Sequence, residues 1–153
     1  MTVAVGTWRE NKRSEEARVE RARERRSGVY AEFYRVVAAY RRAADELGDA
    51  ANVHRKAKTR FGQVGPVKTI ARLTDDVREL GDSAAMMYGQ IRFLAPRDVV
   101  AAAKQVVEAL SPYQDARADG RTDGDEALVD ALDAAVEKMR LDLGSETGHN
   151  ASR

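Results

Sequence analysis

The sequence predicts an all-α protein: an antiparallel four-helix bundle whose first helix carries a long, charged N-terminal extension. Three observations lead there. Apolar residues recur in steps of three and four in four separate segments, the spacing of one buried stripe per helix. Hydrophobic residues make up 43% and charged residues 33% of the 153-residue chain, enough apolar content for one real core. Aromatics are only 6% and prolines number three, a poor endowment for a β-sandwich or barrel.

The first stripe is Val29, Phe33, Val36, Val37, Tyr40, Ala44 and Leu47, which centres helix 1 on residues 28–47. Upstream, residues 9–27 offer only Ala17, Val19 and Ala22 among charges, so they have helix propensity without a face to bury. They are expected to project from the bundle as a helical arm that frays at its start. Gly48 reads as a C-cap, although residues 50–60 could continue the helix. The segment "FGQVGP", 61–66, reads as a loop, with Pro66 opening helix 2.

Helix 2 carries the strongest periodicity in the chain. Leu73, Val77, Leu80, Ala84, Met87, Ile91 and Leu94 form a strict heptad seam, which serves an intramolecular bundle or a dimer equally well. Gly81 and Gly89 within it point to close approach of a neighbouring helix. Helix 3 begins at "AP", 95–96, runs through Val99, Ala103, Val106, Val107 and Leu110, and is expected to stop at Ser111-Pro112. Helix 4 opens on the capping pair Asp123 and Glu126, buries Leu128, Leu132, Ala135, Val136, Met139 and Leu143, and ends at Gly144. The expected organisation is a charged arm, 1–27, a bundle domain, 28–144, and a disordered tail, 145–153.

Charge is unevenly spread. Residues 1–26 hold eight Arg or Lys against five Glu, residues 54–72 hold six basic residues and no acidic one, and residues 114–153 hold ten acidic against five basic. The simplest expectation is that the basic early half and the acidic late half attract one another across the bundle. The sharper alternative is an anionic partner for the basic parts. Arg55, Lys56, Lys58, Arg60, Lys68 and Arg72 are then the candidate anion contacts, able to bind phosphates without sequence preference. Phe61 is the one aromatic among them, and no helix-turn-helix pattern is present, so specific DNA recognition is not expected.

The residues give no basis for an enzyme. There is no cysteine, and the two histidines, His54 and His149, lie in the basic segment and the tail. No Gly-rich phosphate loop, nucleophile elbow or zinc spacing occurs, so no catalytic residue and no cofactor are expected. "DARADGRTDGDE", 115–126, places Asp115, Asp119, Gly120, Asp123 and Glu126 at calcium-loop positions. Arg117 at the third place and Thr122 at the eighth break that pattern, and a polar inter-helix loop is the expected outcome.

Trp8, the chain's single tryptophan, is followed by Arg9, Lys12 and Arg13. That arrangement suits a helix leaving a membrane interface for the cytoplasm, and it makes these four residues candidate contacts with a membrane or partner. The bland alternative is that Trp8 packs on a neighbouring element or a second subunit. No apolar run approaches the roughly 20 residues that span a bilayer.

The segments "WRENKRSEEARVERARERRSGVYAEFYRVV", "MMYGQIRFLAPRDVVAAAKQVVEAL" and "LDAAVEKMRLDLG" resemble a family of small actinobacterial proteins of uncharacterised function. The resemblance covers residues 7–47, 83–110 and 128–144. It implies a basic juxtamembrane helix and a cytoplasmic helical bundle behind an N-terminal transmembrane helix. That span is missing here, which makes the chain either a soluble relative or one whose membrane segment precedes Met1. The expectation is a non-enzymatic bundle that acts by binding a protein partner or itself, in the cytoplasm or at the inner face of the membrane. The alternative is a nonspecific nucleic-acid or anion binder using segment 54–72.

Overall fold

The computed structural model describes residues 3–61 and 67–145, with side chains from Glu10 to Lys58, from Lys68 to Thr122 and from Gly124 to Gly144. The described residues form four helices: α1 (Val3–Phe61), α2 (Val67–Leu94), α3 (Arg97–Ala118) and α4 (Asp123–Ser145). The expected bundle, with its extended first helix, is what they make.

All four stripes converge on one core. Phe33, Val37, Tyr40 and Leu47 of α1 meet Leu73, Val77, Ala84 and Ile91 of α2, and Val99, Ala103, Val106 and Leu110 of α3 close over them. Leu128, Ala135 and Met139 bring α4 into the same cluster, whereas Val136, expected on the buried stripe, is 40% exposed because it lies about 100° round the helix from Ala135. The heptad seam of α2 is thus spent inside the molecule. The packing is lopsided: α1 pairs closely with α2 and α3 with α4, while α4 scarcely meets α1. A cleft of about 340 Å3 remains between those two, lined by Tyr34, Val37, Arg41, Arg42, Leu128 and Leu132, among others.

Two helices run further than their sequence signals suggest. Gly48 does not cap α1, which continues for another thirteen residues; it is a buried interior glycine where α3 crosses. A Cβ there would lie 2.8 Å from the carbonyl oxygen of Arg117, so backbone meets backbone and only hydrogen fits. Pro112 likewise does not end α3. A proline inside a helix costs about 3 kcal/mol. The turn beyond it buries Tyr113 and Ala116, and burying an aromatic of that size contributes about 2–3 kcal/mol. The Tyr40 hydroxyl also donates to the Leu110 carbonyl at 3.1 Å beside the proline. Tertiary packing therefore overrides the local stop.

The end of α3 corrects the calcium-loop pattern. Residues 115–118 are the last turn of α3 and residues 123–126 the first turn of α4, so the connection is only four residues long. Gly120 has φ +73°, Arg121 N–H donates to the Ala116 carbonyl at 2.8 Å, and Gly120 N–H donates to that of Arg117 at 3.0 Å. This is a Schellman cap. The glycine completes the helix end, and among the described residues no three acidic or histidine side chains converge as a metal site. Asp123 is the first residue of α4, with its side chain outside the described residues. The helix ends at Ser145, one residue past Gly144. Of the two α2 glycines, Gly81 packs against Tyr40, at 3.4 Å from a Cβ position, and Gly89 meets nothing within 4 Å. The segment 62–66, with Pro66, and the tail beyond 145 lie outside the described residues.

Candidate interaction surfaces

The arm and the basic segment lie at opposite ends of the molecule. At about 1.5 Å per residue the 59-residue α1 is about 88 Å long, against about 42 Å for α2. Antiparallel pairing brings Leu94, the last residue of α2, beside Arg21, Ala22, Arg25 and Arg26. The residues before Arg21 overhang the bundle by about 27 Å. Every described side chain from Glu10 to Ala22 is exposed, including Val19 at 46%. Lys12 reaches Glu16 at 4.0 Å, a surface pair worth tenths of a kcal/mol. Arg13 is exposed. Trp8 and Arg9 are on the helix, but their side chains lie outside the described residues.

Arg26 marks where the arm joins the bundle. Its Nε lies 3.0 Å from Asp142 Oδ2 of α4, and these side chains are only 13% and 9% exposed. The Tyr30 hydroxyl donates to the same oxygen at 2.8 Å. Burial, reinforced by the Asp142 carboxylate, pushes the Tyr30 phenol well above its usual range. This triad is the main polar tie across the loosely packed α1–α4 seam. Sequence spacing could not have revealed it, because Asp142 reads as one more acid on an acidic helix.

A second cluster ties α1 to α3. Tyr113 donates to Asp45 Oδ1 at 2.6 Å, and Arg117 Nε donates to the same atom. Burial first, and then Asp45, raises the Tyr113 phenol above its ordinary value. Burial also pushes Tyr40 up to about 12. The expected attraction of an early basic half for a late acidic half therefore holds for Arg26 with Asp142 but is reversed for Asp45 with Arg117. Lys138 and Asp98, at 3.9 Å, are both in the later half. Charge polarity along the chain does not organise the bundle.

At the far end, Asn52 lies beside Gly120 of the α3–α4 turn, so the α1–α2 hairpin extends beyond that turn. Lys56 and Lys58 of α1 and Lys68 and Arg72 of α2 are all exposed there and close the same end of the hairpin. Arg55 has a structural contact: its guanidinium donates to the Ala118 carbonyl at 2.6 Å, at the C-terminus of α3. The Arg60 side chain lies outside the described residues. One apolar feature was not foreseen: Met86 and Phe93, a helical repeat apart on the outer face of α2, are 62% and 91% exposed.

No helix among the described residues is long and apolar enough to cross a membrane. Comparison with family models, with curated proteins and with solved structures finds no match to this chain.

Proposed function

We propose that this protein is a non-enzymatic interaction module, in which a helical bundle presents the N-terminal part of α1 as a contact arm. The observation that carries this reading is the overhang: a continuous helix, exposed from Glu10 to Ala22, that contributes nothing to the core. The polar groups that bridge the helices fit the same reading, since Arg26, Tyr30 and Asp142, like the partly exposed Asp45 and Arg117 with Tyr113, join one helix to another. A cytoplasmic position at the inner face of the membrane is part of the proposal. It is supported by Trp8, Arg9, Lys12 and Arg13 at the arm's start and by the resemblance to juxtamembrane bundles. Co-sedimentation with vesicles of phosphatidylcholine, with and without phosphatidylserine, tests that position. Binding that needs phosphatidylserine and disappears when residues 1–25 are removed is expected; binding to nucleic acid alone would overturn it.

A second reading is favoured by the clustering of Lys56, Lys58, Lys68 and Arg72 at the hairpin end. Four solvated cations at one end suit nonspecific contact with phosphates, in which affinity falls steeply with salt. Charge reversal at Lys58 and Arg72 should then weaken nucleic-acid binding while leaving arm-dependent binding intact.

A further inference from the structure

The four-and-three spacing of the buried line of α1 continues past the end of the bundle. Val29, Phe33, Val36, Tyr40, Ala43 and Leu47 follow alternating steps of four and three on the core side. The same steps, continued backwards, pass through Arg26, Ala22, Val19, Glu15, Lys12 and Trp8. Ala22 and Val19 therefore extend the core-facing seam into solvent, and Lys12 and Glu15 follow on it.

We infer that this overhanging seam is covered by the arm of a second copy, lying antiparallel as a short two-stranded coiled coil. This rests on the reading of the arm as a contact element and names its partner. Charge selects the direction. In a parallel, in-register pair each exposed seam residue faces itself, which sets Lys12 against Lys12 and Glu15 against Glu15. In the antiparallel pair, with facing residue numbers summing to 27, Lys12 of one copy meets Glu15 of the other, twice over. The same register places Trp8 opposite Val19, and Arg9 flanks Glu16. The first helical turn of the second copy then arrives beside Ala22, where a hollow of about 250 Å3 opens between Arg21, Arg25, Arg26 and Leu94.

Two further considerations favour a second copy. Most helical stability in proteins comes from tertiary packing, which the exposed overhang lacks, and pairs such as Lys12–Glu16 add only tenths of a kcal/mol. A helix-long overhang gains from lateral packing. Between Glu10 and Arg25 the arm carries six basic and five acidic residues, a mixture that suits a helix of the same composition.

The chain has no cysteine, so engineered thiols report register directly. In the full chain, Trp8→Cys/Val19→Cys should oxidise to a covalent dimer. Val19→Cys alone should not, because the two thiols stand about 16 Å apart along the axis. Sedimentation equilibrium should show a dimer that Lys12→Glu weakens about tenfold and that Lys12→Glu/Glu15→Lys restores. A covalent dimer from Val19→Cys alone would establish parallel pairing and overturn the inference. A monomer at every concentration that still binds phosphatidylserine vesicles through the arm would overturn it while leaving the contact-arm reading intact. A monomer that binds neither itself nor vesicles would overturn both.

Discussion

The two stretches of α1 on either side of Arg26 share one helix and one seam, yet only one of them belongs to a core. From Val29 to Leu47 the seam carries Phe33, Val36 and Tyr40, all nearly inaccessible. From Lys12 to Ala22 the same positions carry Lys, Glu, Val and Ala, exposed throughout. Backbone hydrogen bonding is common to both; side-chain burial is what separates them. Helix continuity and fold membership are therefore distinct properties of this chain, and substitutions on the two sides should have sharply different consequences.

The largest difference is expected at the seam itself. Phe33→Ala should cost about 3–5 kcal/mol in denaturant unfolding, because a 1%-exposed ring leaves a cavity. Val19→Ala should change the unfolding free energy of the dilute monomer by less than about 0.5 kcal/mol. Equal losses would erase the distinction. Next comes the junction: Asp142→Ala removes the carboxylate shared by Arg26 and the Tyr30 hydroxyl and should cost about 2–4 kcal/mol. Smaller again is the contrast between glycines. Gly48→Ala drives a methyl into the Arg117 carbonyl and should cost about 1–3 kcal/mol, whereas Gly89→Ala, with open space around it, should stabilise by about 0.5–1 kcal/mol. Thermal melts of the five variants and the wild type would rank these effects.

Alkaline titration gives the bundle side a signature of its own. The Tyr40 phenol is raised from 10.0 to about 12 by burial, so the folded state holds its proton more tightly than the unfolded chain does. Its contribution is fully present below pH 10 and is lost as pH rises towards 12. Tyr30 and Tyr113 shift in the same direction and add to the loss. Stability should therefore fall above pH 10, less steeply in Tyr40→Phe. The smallest effect is expected from removing residues 1–25, which should leave the melting temperature of the dilute protein nearly unchanged.

Stripes of apolar residues were legible because burial writes a period of 3.6 into each helix, and the residues of the four stripes face the core or pack against it, except the exposed Val136 and Leu94 at the end of α2. Helix ends were legible only where local chemistry rules. Gly48 and Pro112 carry strong stop signals, but the packing that overrides them involves partners far along the chain: Arg117 for the first, and the burial of Tyr113 and Ala116 for the second. Gly120 fitted a cation-loop template because a Schellman cap and a calcium loop both need a glycine in a tight turn. The polar ties were illegible for a related reason. Asp45 and Asp142 differ from their acidic neighbours only in what stands opposite them, and no spacing rule encodes that. Of the candidate contacts, Lys12, Arg13, Lys56, Lys58, Lys68 and Arg72 are exposed as a contact role requires. Arg55 is committed to α3.

The length of α1 has an electrostatic consequence. Lys12 and Lys56 sit on one continuous rod, about 66 Å apart along its axis. The Debye length at physiological salt is about 8 Å, so neither charged end senses the field of the other through solvent. Ligands at the two ends should titrate independently, each with its own salt dependence. The helix would then hold its two occupants at a fixed separation rather than couple their affinities.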